Sequence, residues 1–80
     1  MNWKDYIQTN QDILAGKPVI TGTRLSVEHI LDLLASGWSE QQILENYPRL
    51  TKKSLQAVFA YIQEFLKDGL IFNESIESVR

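Results

Sequence analysis

The chain has 80 residues with a net charge of −2, and 44% of its residues are apolar, 22% are charged and none is cysteine. This length and composition predict one globular domain, residues 1–80, and exclude a disordered chain, a disulfide-stapled scaffold and a thiolate metal site. The acidic net charge argues against a dedicated nonspecific nucleic-acid binder, and the lack of cysteine, of a signal-peptide core and of any membrane-length apolar run leads us to expect a cytoplasmic, bacterial-type protein.

Residues 1–25 predict a small β element followed by a turn. A few β-forming residues lie between chain breakers on both sides of Gly16. We expect a short strand near residues 6–7 to pair with a second strand near residues 19–20 or, alternatively, near residues 24–25. Gly16 and Gly22 permit the positive φ angles that the intervening turns require.

The segment GKPVITGTR, residues 16–24, contains a Gly-Lys pair and so raises the question of a phosphate-binding loop. Pro18 follows Lys17 and has no N–H to donate, and the spacing is not that of a P-loop. We therefore interpret the segment as the connection into the first helix. For Arg24 two interpretations stand: its donors hold groups within the fold, which we favour, or they reach a phosphate as a homeodomain arm does.

Three helices are predicted over residues 26–68. The first begins at Ser26, a good N-cap, and ends before Gly37. The second begins at Ser39, whose spacing from a following glutamine fits a capping box, and Pro48 ends it. The third and longest begins after Thr51 and ends near residues 67–68. Its apolar stripe is the longest of the three, and we expect the far end of this stripe to meet another chain. The stripe comprises Leu55, Val58, Phe59, Ile62, Phe65 and Leu66.

These lengths predict a mainly α fold, a three-helix homeodomain-like helix-turn-helix bundle with a small N-terminal β element. Residues 69–80 form a C-terminal tail in this interpretation. In helix-turn-helix proteins the last helix of the motif enters the major groove with its first residues facing base edges. The small size and the long apolar stripe further predict a homodimer.

Three separated motifs resemble a known family. They are GKPVITGTR, the helix end LASGWS and the segment ILENYPRLT, and the match covers roughly residues 6–62. In order and spacing they resemble the bacterial domain of unknown function 433. The resemblance implies a homeodomain-like three-helix fold with an N-terminal β element, and a non-catalytic antitoxin encoded beside a PIN-like ribonuclease toxin.

We therefore expect an antitoxin-like protein that neutralises such a toxin and, as a second activity, binds its own promoter DNA. The alternative is a helix-turn-helix DNA-binding regulator without a toxin partner. An enzyme is not expected, because the chain has one histidine, His29, and no cysteine. We interpret His29 as a surface or interface residue, and Glu28 with Asp32 as a solvated acidic face rather than a shared metal site. No cofactor or metal is predicted.

The candidate binding residues fall into two groups. Arg24 and the basic and amide side chains near the start of the third helix suit phosphates and base edges. The apolar residues of the C-terminal helix and tail, or alternatively the β element, suit a protein partner. The candidates for DNA binding are Arg24, Arg49, Lys52, Lys53 and Gln56. The candidates for a partner interface are Phe65, Leu66, Leu70, Ile71 and Phe72.

Overall fold

The computed structural model describes residues 1–68 of the 80-residue chain. These residues form three α-helices and a two-stranded antiparallel sheet, so the fold is mainly helical, as predicted. The elements are β1 (Ile7–Gln8), β2 (Val19–Ile20), α1 (Val27–Ala35), α2 (Glu40–Asn46) and α3 (Lys52–Lys67), with single 3-10 turns at Trp3–Asp5 and Leu14–Gly16. The predicted tail, with Leu70, Ile71 and Phe72, lies outside the described residues.

The sheet joins the N-terminus to the segment before α1. Its strands pair antiparallel, with Ile7 opposite Ile20 and Gln8 opposite Val19. This confirms the first of the two predicted pairings. The chain then turns and forms a further bridge between Val19 and Ser26, so the segment after the turn lies along the other side of β2.

Each helix begins at the cap that the sequence predicts. The Ser26 hydroxyl accepts a backbone N–H at the start of α1. In α2 the Ser39 hydroxyl accepts from the Gln42 N–H at 3.1 Å, and the Gln42 side chain accepts from the Ser39 N–H at 2.8 Å. Thr51 caps α3, and Ser54 completes a second capping box that the sequence analysis did not include. The caps fix the start of each helix because they satisfy orphan N–H groups.

The core lies where the sheet and all three helices meet. The buried apolar residues are Ile7, Val19, Ile20, Val27, Ile30, Ile43, Leu50, Leu55, Ala57 and Val58. The predicted stripe of α3 is corrected at Phe59, which is 46% exposed, while Ala57 is fully buried. The helix therefore packs against the core on the side of Ala57 and leaves Phe59 on an exposed side. Within residues 1–68, no helix combines the length and the apolarity that a membrane span needs.

Trp3 covers one side of the far half of α3. Its ring meets that of Tyr61 edge-on with centroids 4.8 Å apart, and its Nε1 donates to Glu64 Oε2 at 2.9 Å. The N-terminal turn therefore packs on Tyr61 and Glu64, which lie beside the predicted apolar stripe and are not members of it.

Candidate functional site

Two surfaces carry the candidate residues that the structure describes. We call the first the basic surface, and its members are exposed: Arg24, Arg49, Lys52, Lys53 and Gln56. We call the second the apolar groove, which runs between α1 and the second half of α3. Phe65 and Leu66 belong to the groove, so the two sets of candidates occupy different parts of the molecule.

The start of α3 presents three members of the basic surface. Lys52 and Lys53 are its first two residues, and Gln56 follows one turn later. Lys52 borders a depression that also contains Glu40 and Glu45 of α2, so carboxylates are near on that side. The positive character of the helix start is therefore strongest on the side away from α2.

Arg49 and Arg24 extend the basic surface onto the turn after β2. Arg49 Nη1 donates to the Gly22 carbonyl oxygen at 3.1 Å, which ties the turn to the segment before α3. Both arginines line one open depression of about 330 Å³. The Arg24 side chain makes no hydrogen bond to residues 1–68, whereas the favoured interpretation had its donors holding groups of the fold. The arginine that bonds to the turn with its side chain is Arg49.

The apolar groove has a volume of about 530 Å³. One rim is formed by an exposed ion pair, in which Lys17 Nζ lies 2.9 Å from Glu28 Oε1. Phe65 is 41% exposed on the opposite side, so a large aromatic face is open to a partner. The apolar lining consists of Pro18, Val27, Leu31, Tyr61, Ile62, Phe65 and Leu66.

A second exposed aromatic, Phe59, lies on a different side of α3. It borders a depression together with Met1, Gln56 and Gln63, and none of these residues lines the apolar groove. Phe59 is 46% exposed and Phe65 is 41% exposed. The two residues are therefore a matched pair: the same side chain and similar exposure on the same helix, with only one of them in the groove.

His29 contacts Tyr47 rather than an acidic partner. Its Nε2 lies 3.3 Å from the Tyr47 hydroxyl, and the two rings meet edge-on with centroids 6.0 Å apart. His29 is exposed, in agreement with its interpretation as a surface or interface residue. In the part of the chain that the structure describes, no group of three or more His, Cys, Asp or Glu side chains is arranged to hold a metal ion.

Sequence reasoning found these residues from local patterns but missed their arrangement, because the arrangement depends on contacts between distant positions. Arg49 was recognised only as part of a charged helix start, since nothing in the sequence pairs it with a carbonyl 27 positions earlier. The groove was recognised only from the α3 side. Leu31 and the Lys17–Glu28 rim line the same groove from the other side, and the sequence carries no local signal for this arrangement.

Comparisons with known proteins agree with the motifs and the fold. The uncharacterized protein y4eO of Sinorhizobium fredii is 30% identical over 60 residues, which is 75% of this chain but 27% of that protein's length. The crystal structure of a DUF433 member protein from Anabaena variabilis superposes with a TM-score of 0.74 and 26% identity over 81% of this chain and 64% of that one. This chain thus spans less than two thirds of either relative.

A family model supplies the assignment. The model described as protein of unknown function (DUF433) matches residues 7–62, which contain the sheet, the turn at Gly22, α1, α2 and most of α3. All five members of the basic surface fall within the match. The protein belongs to the DUF433 family.

Proposed function

We propose that the protein is a non-catalytic, antitoxin-like binding protein that neutralises a PIN-like ribonuclease toxin by holding an apolar segment of that toxin in the apolar groove. The observation that carries the proposal is the groove itself. The resemblance of the sequence motifs to antitoxins of this family supplies the kind of partner. Such a pair acts in the cytoplasm, where the RNA that the toxin would cleave is found.

The groove suits a helix of a protein partner. It lies between two helices, and an amphipathic helix placed there would extend the helical packing of the domain. Aromatic residues in the centre of such a surface typically contribute most of the binding free energy, because they bury a large area at low entropic cost. Phe65 lines the groove as an exposed aromatic residue, and Tyr61 lies one turn before it.

Co-expression with the product of the neighbouring gene tests the proposal. We expect the two chains to copurify, and the wild-type protein to restore the growth that the neighbour's product inhibits. Phe65→Ala should weaken the complex by about 2 kcal/mol, which is roughly 30-fold in Kd. Phe59→Ala is the matched control and should bind as the wild type does.

Two results would contradict this proposal in different ways. If the chains neither copurify nor alter each other's effect on growth, the protein is not an antitoxin for that neighbour. If they copurify but Phe65→Ala and Phe59→Ala lower the affinity equally, the partner does not bind in the groove.

DNA binding is a second candidate function, and the exposed cations at the start of α3 favour it. Residues 47–51 connect α2 to α3 as the turn of a helix-turn-helix would. Lys and Arg side chains contact phosphates and guanine, and Gln pairs with adenine. We propose that the protein binds its own promoter in this way as a homodimer, since two copies double the phosphate contacts of a chain with net charge −2.

A further inference from the structure

We propose that Arg24 and Arg49 together form a binding site for the phosphates of a DNA backbone, on the turn at Gly22 beside the start of α3. The inference rests on the proposed DNA binding and deepens it, because it assigns a contact to the DNA backbone that lies outside α3. It also gives the GKPVITGTR segment a role in binding in addition to its role in the fold.

The turn that carries Arg24 is held by a set of short hydrogen bonds. The Thr23 N–H and hydroxyl both donate to the Ile20 carbonyl oxygen, at 3.0 and 2.8 Å, and the Leu25 N–H donates to Thr23 Oγ1 at 3.0 Å. These bonds fix the backbone on both sides of Arg24. A fixed backbone lowers the entropy that the side chain loses when it binds a ligand.

Arg49 is placed beside this turn by its bond to Gly22. The bond uses one of the five N–H donors of the guanidinium and orients the others. Gly22 has a φ of +84°, and a Cβ there would meet no atom within 4 Å, so the surface above the turn is open. A large ligand such as a duplex can therefore approach both arginines at once.

The charges at the turn favour an anion. No carboxylate of residues 1–68 lies within 4.0 Å of either guanidinium, and the ion pair that these residues do form is Lys17–Glu28. The depression that contains both arginines is otherwise lined by uncharged residues, among them Gln8 and Thr23. Arg24 also borders a second depression, whose charged lining comprises Lys17, Glu28 and Asp32, so carboxylates lie near Arg24 but not in the depression that it shares with Arg49. Two cations in one depression attract an anion more strongly than one does, and the guanidinium fork matches phosphate oxygens in pairs.

Continuity with α3 favours a phosphate over the carboxylate of an acidic protein. Arg49 lies three positions before Lys52, the first residue of the helix. If the major groove of a duplex receives the start of α3, the DNA backbone passes the flanking turn. Proteins of this kind commonly contact phosphates on both sides of the recognition helix. The two arginines would then fix the register of the helix on the DNA.

Binding to a fluorescein-labelled duplex from the promoter upstream of the protein's own gene tests the inference, with affinity measured over a range of salt concentrations. Arg24→Gln should weaken binding and reduce the slope of log K against log salt by about 0.9 for each lost phosphate contact. Arg24→Lys should retain most of the slope, because it keeps the charge. Lys67→Gln is the control: it removes one charge at the far end of α3, and the slope should stay that of the wild type.

The outcomes separate this inference from the proposed DNA binding on which it rests. A wild-type protein that binds no duplex overturns both. A wild-type protein that binds, with an Arg24→Gln variant of unchanged slope, overturns this inference alone. If Arg24→Gln leaves DNA binding intact and weakens copurification with the toxin, the arginines bind carboxylates of that protein and the phosphate assignment is wrong. Arg24 makes no hydrogen bond within residues 1–68, so we expect its variants to keep the wild-type Tm.

Discussion

At the scale of single residues, the turn after β2 depends on a glycine. Gly22 has a φ of +84° and Gly16 a φ of +86°, and both were singled out in the sequence as the residues that permit such angles. A side chain in this region brings its Cβ close to the following carbonyl oxygen. The turn at Gly22 also positions the carbonyl that Arg49 binds, so its backbone conformation affects both the fold and the basic surface.

We predict that Gly22→Ala lowers the free energy of unfolding by about 1–2 kcal/mol. Because a Cβ at this position would touch nothing within 4 Å, the loss comes from backbone strain and not from a clash. Thermal unfolding should show a Tm lower by about 4–8 °C for each kcal/mol. Thr21→Ala, an exposed change in the same turn, is the control and should stay within about 0.5 kcal/mol of the wild type. Equal Tm values for Gly22→Ala and the wild type would show that the turn adopts another conformation.

At the scale of elements, the helices are delimited by local signals. Ser26, Ser39 and Thr51 each precede an apolar-periodic segment, and each caps a helix. These contacts span three residues and so are visible in the sequence. The face that a helix buries is less local, since Phe59 keeps the apolar rhythm of α3 and yet is 46% exposed. Which residues of an apolar stripe enter the core depends on what packs against it.

For α3 as a DNA-binding element, we predict that Lys52→Ala and Lys53→Ala each weaken promoter binding. Each should lower the salt slope by about 0.9 if the lysine contacts one phosphate. Carboxylates of α2 border Lys52, so we expect the larger effect from Lys53. Lys67→Ala serves as the control, because it lies about 22 Å along the helix from Lys52 at 1.5 Å per residue. Unchanged slopes for both lysine variants would remove α3 from the DNA interface.

At the scale of the whole molecule, the N-terminal turn packs on the far half of α3 and against a small core. Domains of this size bury only about 60% of their unfolded surface, so each such contact is a large share of the stability. Trp3 and Glu64 are 61 positions apart and join the N-terminal turn to the far half of α3. The same packing leaves the other side of α3 free to line the apolar groove.

We predict that Trp3→Ala lowers the free energy of unfolding by roughly 2–3 kcal/mol, since it removes the ring contact with Tyr61 and the hydrogen bond to Glu64. Trp3→Phe keeps most of the ring contact and should lose about 1 kcal/mol. Glu64→Gln, which retains an acceptor oxygen, should unfold as the wild type does in urea. Wild-type stability for Trp3→Ala would show that the N-terminal turn does not pack on α3 in solution.

For the assembly, we predict a homodimer at micromolar concentration. Light scattering should give twice the 9.2 kDa mass of one chain. The physical reason is that a domain of this size gains much of its stability from further burial, and exposed Phe59, which lies outside the apolar groove, offers apolar area. A monomeric mass would contradict this prediction and leave the toxin-binding proposal intact.

The sequence by itself determined the three helices, their caps and the family, and it left two strand pairings open. These depend on interactions between near neighbours, such as Ser39 with Gln42, and on motifs that stand in the chain as written. The tertiary structure alone decided which strand pairs with β1, that the side chain of Arg49 and not that of Arg24 bonds to the turn at Gly22, and that α1 and α3 together line the apolar groove. These outcomes depend on contacts between distant positions, which the packing of the whole core selects and no local spacing records.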